Sequence, residues 1–133
     1  MPEQNKRVFV SFDTDNDKEL RDFIIDQFRL PDFQYQVIAH SEKQAAPIKM
    51  WERKTRRAIK RSELVMVVLG PDTYRAPGVL KEVRMAREQA VRIFQVIVHP
   101  KGQYKPVPRA GRIYRWDADN PGELLVRLSE QRP

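Results

Sequence analysis

At 133 residues the chain is one domain by length, and it carries a formal net charge of +7. Hydrophobic residues at 41% and charged residues at 32% mark a folded globular chain and exclude a disordered one. No apolar run approaches the roughly 18 residues of a membrane span, and no cysteine is available for a disulfide, a thiolate nucleophile or a Cys-type metal site.

The polar start, Met1 to Val8, leads straight into a strand, which reads as no signal peptide. The lack of cysteine fits a reducing compartment, so the expected location is cytoplasmic. Arg7 to Phe12 is the first strand, β-branched and aromatic. Asn16 and Glu19 have the spacing of a capping box, and the helix behind them sets Leu20, Phe23, Ile24 and Phe28 on one stripe. Pro31 stops it. Phe33 to His40 is the second strand, half polar, as suits a sheet edge. After the loop Ser41 to Pro47 comes a basic amphipathic helix, Ile48 to Arg61, with Ile48, Trp51, Thr55, Ala58 and Ile59 on its inner face.

Leu64 to Gly70 is apolar throughout and predicts a central strand. Gly70-Pro71 ends it, and Asp72 to Arg75 forms a polar loop. A third helix follows from Pro77 to Ala90, with Val79, Val83, Ala86 and Ala90 inward. Ile93 to Val98 is the fourth strand. A loop rich in proline leads to a short fifth strand, Ile113 to Trp116. A last helix, Asn120 to Gln131, buries Leu124, Leu125 and Leu128.

Strands alternating with helices predict a parallel sheet. Five strands favour a flavodoxin-like α/β three-layer sandwich with order 2-1-3-4-5. Ligands in such sheets bind at the carboxyl ends of the strands, where the strand order reverses. Here that point lies between the first and third strands, under the loops Phe12 to Asp17 and Gly70 to Pro77.

The charge is concentrated. Lys49, Arg53, Lys54, Arg56, Arg57, Lys60 and Arg61 face Glu52 alone in one helix. A solvated helix surface is the plain reading; an anionic partner is the alternative. Gly-rich phosphate cradles are missing. Two histidines, His40 and His99, without cysteine give no expected metal site. A phosphoacceptor receiver shares this topology, but it needs a carboxylate at the end of the third strand, where Leu69-Gly70-Pro71 stands.

Glu82 is the sharpest catalytic candidate, since it borders the inward stripe of a helix whose first turns reach the crevice. A carboxylate there suits sugar hydroxyls and an oxocarbenium-like state. The alternative is an exposed glutamate paired with Arg75 or Arg84. Asp13 is a ligand-contact candidate. Trp51 is either a core aromatic or a stacking surface for a flat ring, and Arg75 either clamps a phosphate or solvates its loop.

The blocks VFVSFDTDND and LVMVVLGPDTYRAPGVLKEVRMA resemble the bacterial TIR-like family, the group of Thoeris-type and related small TIR-like proteins. The resemblance runs from about Arg7 to Val98 and makes residues 1–133 a single TIR-like domain. It implies a flavodoxin-like TIR fold that binds NAD or a related nucleotide, often cleaving the nicotinamide–ribose bond. It implies no cofactor beyond NAD as substrate. Some members make cyclised ADP-ribose signals in antiphage defence. The family's catalytic glutamate falls at Glu82, and its substrate-lining segment at Phe12 and Asp13. Ser41 to Met50 matches the mobile loop after the second strand. Many members carry a W-C-x-x-E pattern; here Ala76 to Lys81 contains no aromatic.

Three readings follow. In the first, the domain hydrolyses or cyclises NAD through Glu82, with Phe12, Asp13, Trp51, Thr73 and Arg75 lining the pocket. In the second, it is a non-catalytic module that binds protein or nucleotide. Self-association or a protein partner is expected with either. In the third, the Lys49 to Arg61 face binds nucleic acid with a steep salt dependence. Neither nucleic acid nor a membrane is an expected partner.

Overall fold

The computed structural model describes residues 6–29, 33–99 and 101–130. The expected stop at Pro31, Pro100, and the side chains of Leu125 and Leu128 lie outside the described residues, as does the helix end at Gln131. Five strands form one parallel sheet: β1 (Lys6–Ser11), β2 (Tyr35–His40), β3 (Leu64–Val68), β4 (Arg92–Ile97) and β5 (Ile113–Arg115). Their order is β2-β1-β3-β4-β5, as the pattern of elements predicts. Among the described residues four α-helices, α1 (Lys18–Gln27), α2 (Ile48–Lys60), α3 (Pro77–Glu88) and α4 (Pro121–Glu130), and a 3-10 turn at Thr73–Arg75 accompany the sheet.

Every residue of β3 is buried, which is why its sequence shows no polar alternation. Side chains of successive strand residues point to opposite faces. Val8, Val10, Leu64, Met66 and Val68 therefore pack on one side with Ile24, Phe28, Trp116 and Leu124. Phe9, Val65 and Val67 pack on the other, against Trp51, Ile59, Val79, Val83, Met85 and Ala86 of α2 and α3. Ser11 follows the parity of Phe9 and so belongs to the α3 side. It pairs in register with Val67.

Three local expectations are corrected. The capping box does not form. Asp13 accepts from Asn16 Nδ2 at 2.7 Å and from the Asp15 N–H at 3.0 Å, and this local turn takes Asn16 out of the helix start. Asp17 is the N-cap instead, without a side-chain cap bond. Ile48 opens α2 but is 38% exposed, because the first turn overhangs the sheet-facing stripe of Trp51, Thr55 and Ile59. Ala90 lies beyond α3 and is exposed with φ of 56°. There the N–H of Val91 bonds the carbonyl of Ala86 and that of Ala90 bonds Arg87, a left-handed closure that ends the helix.

Candidate functional site

The chain leaves β1 toward β2 and leaves β3 toward β4, so the connections part at the carboxyl ends of β1 and β3. A crevice opens at that point. Its walls are Phe12 to Asp15 after β1, Ser41 to Gln44 after β2, and Ala76 to Val79 with Glu82 at the start of α3. The cavity is about 290 Å³. A larger groove of about 750 Å³ runs beside the β2 edge, but Glu82 takes no part in its lining.

Glu82 is completely buried. The alternative of an exposed glutamate paired with Arg75 or Arg84 is therefore excluded. Ser11 Oγ donates to Glu82 Oε1 at 2.7 Å, and Ser41 Oγ donates to the same oxygen at 2.5 Å. Oε2 has no hydrogen-bond partner among the described residues. Burial pushes the carboxyl up to about 8, although both serine hydroxyls pull it down. Glu82 thus lines the crevice at the switch point as a buried carboxyl with one oxygen bonded twice and the other unpartnered among the described residues.

A family model described as TIR domain matches residues 8–125, which spans the sheet, the crevice and Glu82. The chain belongs to the TIR domain family. No curated protein matches it.

Within this TIR domain, Phe12 and Asp13 reach the crevice with Glu82. The Phe12 ring, however, is buried on the α1 side, with the Arg21 guanidinium 5.4 Å from its centroid. The Asp13 carboxylate is engaged in the local turn with Asp15 and Asn16. Trp51, Thr73 and Arg75 lie outside the crevice lining. Trp51 is a core aromatic whose Nε1 donates to the Glu42 carbonyl at 2.9 Å, so it shapes the loop after β2 from behind. Thr73 is fully buried; it accepts the Gly70 N–H at 2.7 Å and donates to Asp17 Oδ2 at 3.2 Å. Arg75 is exposed and pairs with Asp72.

Burial raises Asp17, Thr73 opposes the shift, and the Asp13 and Asp72 charges add to it. Gly70 is required beside it, because a Cβ there would stand 2.2 Å from Asp17 Oδ2. The start of α3 presents Pro77, Gly78 and Val79 to the crevice, with no aromatic side chain from Ala76 to Lys81.

Ser11, Ser41 and Gln44 were not among the expected site residues. Their signal in the sequence is a hydroxyl at the carboxyl end of each of two adjacent strands, Ser11 within an apolar run and Ser41 after His40. Gln44 accepts from Lys81 Nζ at 2.9 Å, which ties the loop to α3.

The basic face of α2 is solvated. Lys49, Arg53, Arg56, Arg57 and Lys60 line an open groove with Glu52 and Gln89. Arg56 pairs with Glu88 and Lys54 with Glu42. Among the described residues no group of three or more His, Asp or Glu is placed to hold a metal ion, and no helix is long and apolar enough to cross a membrane.

Proposed function

We propose that this TIR domain binds NAD or a related nucleotide in the crevice and cleaves its nicotinamide–ribose bond, with Glu82 beside the ribose. The observation that carries the reading is the buried carboxyl of Glu82, held through Oε1 and unpartnered at Oε2. In the reaction the bond from the pyridinium nitrogen to C1′ breaks, its electron pair goes to nitrogen, and nicotinamide leaves neutral. The cation at C1′ is then captured by water, which loses a proton, or by a nucleophilic atom of the same molecule to give a cyclic product. A carboxylate beside C1′ stabilises that cation.

The crevice is at the low end of ligand-pocket size. It suits the nicotinamide–ribose end, with the phosphates over the rim, where Lys43 is exposed. Phe12 and Asp13 serve as wall rather than as contacts of known donors. Trp51, Thr73 and Arg75 act indirectly, by shaping the loops. Association with a second copy or another protein belongs to the same reading. Its support is the β2 edge and the groove beside it at Phe33, Val37 and Ala58. The cellular setting of this reading is cytoplasmic signalling, including antiphage defence.

One observation favours a second reading, binding without turnover. Glu82 is fully buried with two serine hydroxyls on one oxygen and no cation bonded to it among the described residues, an environment that pushes its carboxyl up and disfavours the charge that cleavage needs. Calorimetry with NAD and with ADP-ribose, run beside a turnover assay, separates the two. Binding with product supports the enzyme, and binding without product at any protein concentration supports the module.

A further inference from the structure

Two hydroxyls converge on one oxygen of Glu82 and leave the other alone. Their placement is fixed by the sheet. Ser11 is the last residue of β1 and is fully buried on the α3 side. Ser41 is the first residue after β2 and is bonded once to β1 and once to the residue that follows β1. Its N–H donates to the Val10 carbonyl at 2.9 Å, and its Oγ accepts the Phe12 N–H at 3.0 Å. A hydroxyl has one proton to give. With the Phe12 N–H already directed at Ser41 Oγ, that proton goes to Glu82 Oε1.

We infer that Ser11 and Ser41 are positioning residues that select which oxygen of Glu82 meets the ligand: they occupy Oε1, and Oε2 alone is offered to a ribosyl group. The ligand assignment rests on the function proposed above; the selection of the oxygen does not. In the acid form the proton stands on Oε2, because Oε1 accepts twice, and the crevice receives an O–H donor. In the ionised form the same oxygen presents the charge. The charged groups that share the crevice are Asp13 and Asp15 after β1 and Glu42 and Lys43 after β2, with Lys81 on the helix of Glu82 itself. Among the described residues, the two serines are the hydrogen-bond partners of the carboxyl, so they set its behaviour directly.

The test follows the Glu82 carboxyl carbon by NMR in protein carrying ¹³C-labelled glutamate, its signal identified by its loss in Glu82→Gln. Wild type, Ser11→Ala, Ser41→Ala, the double alanine variant and Ser41→Thr are titrated, and nicotinamide release from NAD is measured against pH in each. Loss of a donor to the ionised form moves the Glu82 midpoint to higher pH in each alanine variant, and further in the double variant. Ser41→Thr keeps the hydroxyl and the wild-type midpoint. The rising limb of the rate moves with the midpoint, and kcat at neutral pH falls by about ten- to a hundred-fold with KM little changed.

A fold defect alone lowers the rate at every pH without moving the limb. If Ser41→Ala does not fold, Ser11→Ala against Ser41→Thr carries the comparison. Midpoints that stay at the wild-type value in the folded alanine variants overturn the inference. Shifted midpoints with no turnover in any variant uphold it and reject the enzymatic reading instead.

Discussion

Ser41 Oγ stands 2.5 Å from Glu82 Oε1 and joins the first residue after β2 to the buried carboxyl of α3. With the Ser11 bond at 2.7 Å, three separate elements meet on one oxygen. Such a site is costly to the fold. A carboxyl with a free buried oxygen loses its hydration and regains only part of it from two hydroxyls.

That cost has a definite pH dependence. The unfolded chain releases the Glu82 proton near 4.5 and the folded chain near 8. Between those values the folded state holds more protons, so the Glu82 contribution to stability falls as pH rises and is lost above the folded value. Glu82→Gln removes this dependence. Denaturant titrations at the two ends of that window should show the variant gaining on wild type, on the order of a few kcal/mol at the upper end. An equal difference at both ends contradicts a buried, proton-bearing Glu82.

The same displacement predicts proton release on binding. A cationic nicotinamide ring beside Glu82 favours the carboxylate. Near neutral pH, calorimetry of NAD binding in two buffers of different ionisation heat should show release of up to one proton. ADP-ribose, which lacks the cationic ring, should release little. Equal release by both ligands places the charged ring away from Glu82.

Ala90 occupies a left-handed backbone position at φ of 56° that glycine fills without strain. Ala90→Gly should stabilise the domain by about 0.5–1 kcal/mol, after the added entropy of the unfolded chain is offset. Thermal melts should move up by a few degrees. A lower melting temperature would show that the helix closes by another route.

Gly70 is the reverse case. A methyl group at Gly70 would occupy the place of the Asp17 carboxylate and break the link from Asp17 through Thr73 to the end of β3. Gly70→Ala should cost about 1–3 kcal/mol by urea titration. Gly70→Ala combined with Asp17→Ala should recover part of that loss, since the clash goes with the carboxylate. No recovery would assign the cost to the backbone.

Local pattern was enough for most of the fold. Leu64–Val68 reads as a central strand because both its faces are covered, and Ile48–Lys60 begins directly after Pro47, which has no backbone N–H and so marks a helix start. The site was only half legible. Spacing places Glu82 next to Val83 and hence near the inner stripe, but not inside it. Its burial depends on Ser11 and Ser41, which stand 71 and 41 residues away, and no local period reports such partners. Thr73 and Trp51 were read as lining for the same reason. Both sit near the crevice in sequence terms, yet the packing turns them to Asp17 and to the Glu42 carbonyl. The capping box failed because Asp13 competes for Asn16, a contest between two local motifs that spacing alone does not decide.

In the proposed reaction the free oxygen of Glu82 serves the nicotinamide–ribose bond. The direct measurement is nicotinamide release from NAD, for wild type and Glu82→Gln, across a series of protein concentrations that allows assembly. Wild type should release nicotinamide at a rate that rises with pH, as burial raises the Glu82 carboxyl, and Glu82→Gln that folds normally should release none above background. Full activity in Glu82→Gln, or no release by wild type at any concentration or pH, would contradict it.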